Sequence, residues 1–218
     1  MLKMISNKTG TSPYSRKGLI VLEEKGLPYE QVNVDPEYLP DDFGETMNPN
    51  LRVSVLVDGD RNIFESDNIV DYLLRTYPDA MSPSAPTPPL AATVTRPDHH
   101  IDDAMILVTI ETVLNSSVNI GLFAFSDTNP ADIKPWGWPW ERDPTRIHSC
   151  LKWLDARATS EGFVPGVFSV MDINLICALR LVNTMTSEDW SIYKNLSALN
   201  SFFADRPSVV KSLQSATQ

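Results

Sequence analysis

Apolar and polar positions change period several times along the first 80 residues. Leu2–Ser6 reads as a short strand and Asn7–Pro13 as a polar loop. From Tyr14 to Lys25 the spacing of Leu19, Ile20 and Leu22 predicts a helix, which Gly26 and Pro28 bring to a stop. Tyr29–Val34 alternates as a strand. Asp35–Asn50 holds three prolines and many acids, which predicts a loop with a short helix around Asp41–Thr46. Arg52–Val57 is a β-branched strand, Asp58-Gly59 a hairpin pair, and Asn62–Phe64 the returning strand. Glu65-Ser66 then stands directly before Ile69, Val70, Leu73 and Leu74, which share one helical face.

After residue 80 the strand signals vanish. Met81–Pro97 contains five of the 17 prolines and predicts a stiff connection. Ile101–Phe125 is a long helical pattern, and Pro144–Ser160 is another. Ser169 precedes a third helix, Ile173–Val182, with Asp172 three residues on, the spacing of a capping box. Shorter helices are expected at Asn195–Ala204 and Pro207–Ser215. The predicted fold is an α/β thioredoxin-like N-terminal domain over residues 1–80, a linker over 81–97 and an all-α C-terminal domain over 98–218.

Composition narrows the chemistry. The net charge is −10, and residues 1–80 carry 8 basic and 14 acidic side chains. Neither half offers a basic face, so no nucleic-acid partner is expected. Arg16, Lys17 and Arg52 are the candidates for a local anion contact. No apolar run approaches a membrane span and no secretory signal is evident, so the expectation is a cytoplasmic protein without a membrane partner. Cys150 and Cys177 are the only cysteines, and both read as buried fillers. No zinc-type spacing exists, and no metal is expected.

The segment Thr11-Ser12-Pro13-Tyr14-Ser15-Arg16-Lys17 lies between the first strand and first helix. Thiol–disulfide proteins of this fold carry Cys-Pro-Tyr-Cys there, whereas both cysteine positions hold serine here. Disulfide exchange needs a thiolate, and no residue before Cys150 supplies one. The loop is left with hydroxyls that either cap the helix or donate to a thiol brought by a ligand.

The strand–turn–strand–Glu-Ser–helix segment, the two-domain order, the Ser169 cap and the late Arg206-Pro207-Ser208 together resemble glutathione transferases over essentially the whole chain. The resemblance implies a cytosolic enzyme, typically a homodimer, that uses glutathione as cosubstrate. The glutathione thiolate would attack a small hydrophobic electrophile, in a detoxification role. It implies Ser12 as the hydroxyl donor to the thiolate, with Thr11 and Ser15 as runners-up. Glu65 and Ser66 would bind the γ-glutamyl amine and carboxylate. The Val53 backbone would pair with the cysteinyl part, and Arg52 would reach the glycyl carboxylate. The alternatives are a glutathione-dependent lyase, isomerase or reductase, and a non-catalytic binding relative.

One position departs from the family. Where it carries a cis-proline, this chain has Ser54, which leaves two outcomes open: a cis Val53–Ser54 bond with the site retained, or a trans bond with the Val53 backbone displaced. Two further clusters stand out. Asp98-His99-His100-Ile101-Asp102-Asp103 is rich in ligand types, but neighbouring helical residues diverge, so a solvated helix start is the plainer reading. By resemblance Tyr14, His99, His100 and Asp103 are candidates for a cosubstrate pocket. The Trp136–Trp140 loop holds three indoles and reads as a core plug, a substrate wall or a subunit contact.

Overall fold

The computed structural model describes residues 1–7, 12–83, 86–125 and 142–214. Its chain divides into two compact units, residues 1–94 with 203–218, and residues 95–202.

The first unit is built on a four-stranded sheet. Strands β1 (Leu2–Asn7), β2 (Tyr29–Val34), β3 (Val55–Asp58) and β4 (Arg61–Phe64) lie in the order β2-β1-β3-β4. β1 pairs with β2 in parallel, because helix α1 (Pro13–Glu24) provides the crossover, and with β3 antiparallel. This is the thioredoxin-like arrangement. The β3–β4 hairpin closes one residue later than expected. Asp58 pairs with Arg61, so Gly59 and Asp60 form the turn, and Gly59 takes the left-handed φ of 57° that the turn requires. β3 begins at Val55, three residues later than its β-branched pattern suggests, because residues 48–54 form a corner held by side-chain hydrogen bonds.

One face of the sheet buries Ile5, Phe43 and Val55, with Val32, Leu39, Met47, Val53 and Phe64 packed against them. Phe43 comes from the short helix α2 (Phe43–Thr46). The other face receives α1 and α3 (Ser66–Thr76), whose Ile69, Val70, Leu73 and Leu74 are buried as their spacing predicts. Gly18 permits this close packing: a Cβ there would stand 3.0 Å from Met4 Cε and 3.1 Å from Ile69 Cγ2.

The last helix, α8 (Pro207–Gln214), belongs to this first unit, whereas its place in the sequence puts it with the helical half. Polar contacts link it to α1 across the length of the chain. Arg206 Nε and Nη2 donate to the two oxygens of Glu24, each at 2.7 Å, and both side chains are almost fully buried. Ser208 Oγ donates to the same carboxylate, and Arg16 Nε donates to Ser212 Oγ at 3.3 Å.

The second unit is helical: α4 (His100–Phe125), α5 (Asp143–Asp155), α6 (Val170–Met185) and α7 (Lys194–Phe203). The capping box is present, with Asp172 N–H donating to Ser169 Oγ and the Asp172 carboxylate accepting from Ser169 N–H at 2.8 Å. Asp172 is fully buried and also accepts from Phe163 N–H, so it fixes the approach to α6 as well as its start. The expectation that no apolar run approaches a membrane span fails for α4. Residues 97–124 meet that test by length and composition, with a window of mean hydropathy 1.5 that is 39% buried. Ile106, Ile110, Val113 and Leu114 occupy the buried side of this helix, which packs on α5 and α6.

Candidate active site

The candidate site is built where β1 ends, α1 begins, and the corner before β3 meets the start of α3. Pro13 occupies the first turn of α1, where its missing N–H costs nothing. Ser12 is the N-cap, and its Oγ accepts from Ser15 N–H at 3.4 Å. Capping uses the hydroxyl as an acceptor. Its own proton remains to be donated, beside the partial positive charge of the helix start. Ser12 thus caps the helix without using its hydrogen-bond donor, so the two roles open to it in sequence are compatible.

Ser15 has another fate. It is buried, and its Oγ accepts from Ser54 Oγ at 2.9 Å. The two serines that replace a cysteine and a proline in the resemblance are therefore paired with one another inside the fold. The Val53–Ser54 peptide is cis. Thr11 and the Trp136–Trp140 loop lie outside the described residues.

Arg16 and Lys17 do not form an anion contact on the surface. Both are buried, because they lie on the packed side of α1. Arg16 reaches Ser212, and Lys17 Nζ pairs with Asp67 at 3.0 Å, with the Tyr14 ring 5.5 Å away. Of the three basic candidates only Arg52 is exposed.

The Glu65-Ser66 pair opens α3. Glu65 is the N-cap residue but makes no capping bond; Ser66 is the first helical residue and is buried. Glu65 stands at φ 67°, a left-handed conformation uncommon outside glycine, and its carboxylate is engaged by a residue of the corner instead of by the helix end. There Asn50 Nδ2 donates to Glu65 Oε1 at 2.8 Å. Asn50 is anchored in turn: its N–H donates to Asn48 Oδ1 at 2.9 Å, and Asn48 Nδ2 donates to Arg52 O at 2.8 Å. Asn48 is buried, and Leu51 between these residues has φ 54°. The free N–H groups in the first turn of α3, next to the Ser66 hydroxyl, suit a carboxylate, and the Glu65 carboxylate suits an ammonium. Sequence reasoning missed Asn48 and Asn50, whose only advance signal was the Asn-Pro-Asn cluster that marks a turn.

The other cosubstrate candidates lie in the second unit. His99 and His100 are exposed at the start of α4. Asp103 is withdrawn from ligand contact: it is fully buried, with Arg96 Nη2 on Oδ1 at 2.6 Å and Arg96 N–H on Oδ2 at 2.8 Å. Burial pushes its carboxyl up, but the Arg96 hydrogen bonds outweigh this and hold it below the usual carboxylate range. Among the described residues no group of three His, Cys, Asp or Glu side chains could hold a metal ion.

The geometry can be set beside known proteins. A model described as the glutathione S-transferase N-terminal domain matches residues 9–84. The stringent starvation protein A homolog of Haemophilus ducreyi is 43% identical over 65 residues, 30% of this chain and 30% of that protein. The chain spans roughly a third of the length of the Haemophilus relatives it matches, 30% and 35%. A probable glutathione transferase of Aplysia californica is 32% identical over 69 residues, 32% of this chain and 74% of that protein. Among solved structures, a glutathione S-transferase from Methylobacterium radiotolerans in complex with glutathione sulfonate shares the fold. Its TM-score is 0.79 at 24% identity, covering 97% of this chain and 94% of that one. The matched domain contains the Ser12 helix start, the Asn48–Ser54 corner and the Glu65-Ser66 helix start, and the chain belongs to the glutathione S-transferase family.

Proposed function

We propose that the chain is a glutathione transferase that adds the glutathione thiolate to a small hydrophobic electrophile. The observation that carries this reading is the state of Ser12. It sits at the N-terminus of α1 with its oxygen occupied by Ser15 N–H and its proton available. A free thiol has a pKa of about 8.5, so a hydroxyl donor and a helix N-terminus would both favour the thiolate near neutral pH. Glu65 and Ser66 would take the amine and carboxylate of the γ-glutamyl group, and Arg52 the glycyl carboxylate. Ser12 acts as a donor here, and the nucleophile is the sulfur of glutathione.

Retention on immobilised glutathione, followed by conjugation to a chloro-nitrobenzene, tests the proposal. Retention with turnover supports the transferase; no retention defeats it. A second reading is a non-catalytic relative that binds glutathione without conjugating it; it stands because one relative, 43% identical over 65 residues, is named for starvation and not for a transferase activity. Retention without turnover on a panel of electrophiles would select it. Assembly as a homodimer is part of the proposal. It is supported by the exposed row of Ile101, Met105 and Val108 on α4, and Val108→Glu should then shift the protein toward monomer in sedimentation.

A further inference from the structure

We propose that Asn50 is a positioning residue of the glutathione site. It acts through Glu65, holding that carboxylate ready for the γ-glutamyl ammonium. The inference rests on the glutathione reading above and adds a residue that this reading does not use.

Three observations lead to it. The first is that Glu65 is held by more than its own backbone. Its backbone stands at φ 67°, and with no capping bond to the helix the carboxylate would be free to rotate. Asn50 Nδ2 meets Oε1 at 2.8 Å and removes that freedom. The second is that Asn50, although on the surface, is not a loose side chain. Its N–H donates to Oδ1 of Asn48, a residue only 1% exposed whose Nδ2 donates to Arg52 O. The corner 48–52 thus transmits a buried anchor to an exposed carboxamide, and from there to Glu65.

The third is the chemistry of the donor. A carboxylate offers about four lone-pair sites. Asn50 occupies one on Oε1 and leaves Oε2 open. A neutral amide orients the carboxylate without cancelling its charge, whereas a lysine or arginine in its place would compete with the ammonium of the ligand. The result is a preorganised anionic acceptor, which reduces the ordering cost of binding.

The test is calorimetric titration of the wild type, Asn50→Ala, Glu65→Ala and the double variant. The two ligands are glutathione and an analogue whose γ-glutamyl group is replaced by glutaryl, which lacks the amine. Asn50→Ala should weaken glutathione binding about five-fold, the scale of one ordinary net hydrogen bond. That loss should vanish in the Glu65→Ala background and with the glutaryl analogue. An Asn50→Ala variant that binds glutathione as the wild type does overturns the proposal. So does a loss that persists undiminished in the Glu65→Ala background or with the glutaryl analogue, since Asn50 would then act independently of Glu65. Wild type that fails to bind glutathione overturns the glutathione reading along with this one. Wild type that binds, with Asn50→Ala indifferent, overturns this one alone.

Discussion

Ser54 donates its hydroxyl hydrogen to Oγ of Ser15 across 2.9 Å, and neither side chain is more than 3% exposed. The pair joins the corner before β3 to the first turn of α1. It also separates the three serines by role, since Ser15 is engaged inside the fold while Ser12 is half-buried at the helix cap.

The expected consequence is a division between stability and chemistry. Ser54→Ala leaves the Ser15 hydroxyl without its donor and should cost about 1 kcal/mol in thermal unfolding. Ser15→Ala should cost a similar amount. In both variants the turnover of glutathione conjugation should stay within a few fold of wild type. A large loss of turnover in Ser15→Ala with an unchanged melting temperature would move the thiol contact from Ser12 to Ser15.

Asp58, at the hairpin, accepts from Tyr72 Oη at 2.8 Å and Tyr77 Oη at 2.5 Å. The Tyr77 bond is the main cause that holds the Asp58 carboxyl below its usual range, and the same bond pushes the Tyr77 phenol from 10.0 up to about 12. A raised phenol contributes stability that is complete below pH 10 and lost as the pH climbs through about 12. A lowered carboxyl contributes stability that is complete above its ordinary range near 3.9 and lost as the pH falls below it. Tyr77→Phe should therefore cost about 1 kcal/mol at neutral pH and flatten the alkaline decline in melting temperature between pH 10 and 12. An alkaline arm identical to wild type would contradict the assignment.

Glu24 and Arg206 form a buried pair that fastens α8 to α1. Arg206→Met strands a buried carboxylate and should destabilise the first unit by about 3–5 kcal/mol. Adding Glu24→Gln should recover much of that loss, because the uncompensated charge is then gone. Chemical denaturation of the single and double variants measures both steps. A double variant no more stable than Arg206→Met would show that packing of α8, and not the buried charge, dominates.

These contacts mark what the sequence could and could not disclose. The helix starts at Pro13 and Ser169 and the apolar face of α3 depend on neighbours within one or two turns, so periodicity and capping chemistry reveal them. The burial of Arg16, the docking of α8 on α1 and the Asn50–Glu65 bond depend on residues far apart in the chain, and no local pattern encodes them. Arg16 and Lys17 read as candidates for an anion contact because charge alone was visible; their side chains reach Ser212 and Asp67. Asp103 stood as a cosubstrate candidate by resemblance, and its burial was not legible because its partner Arg96 lies in a proline-rich stretch without periodicity. The long apolar helix α4 escaped notice as a membrane-length segment because scattered polar residues, among them Glu111 and Asn115, interrupt its apolar runs.

The central claim is that Ser12 stabilises a thiolate on bound glutathione. The ultraviolet absorbance of the thiolate, titrated against pH in the binary complex, reads this directly. Wild type should lower the thiol pKa of glutathione by at least about one unit from its free value, roughly 1.4 kcal/mol of thiolate stabilisation. Ser12→Ala should bind glutathione with similar affinity yet return the titration toward the free value, with conjugation falling in parallel. If Ser12→Ala and wild type titrate together, the account of Ser12 is wrong.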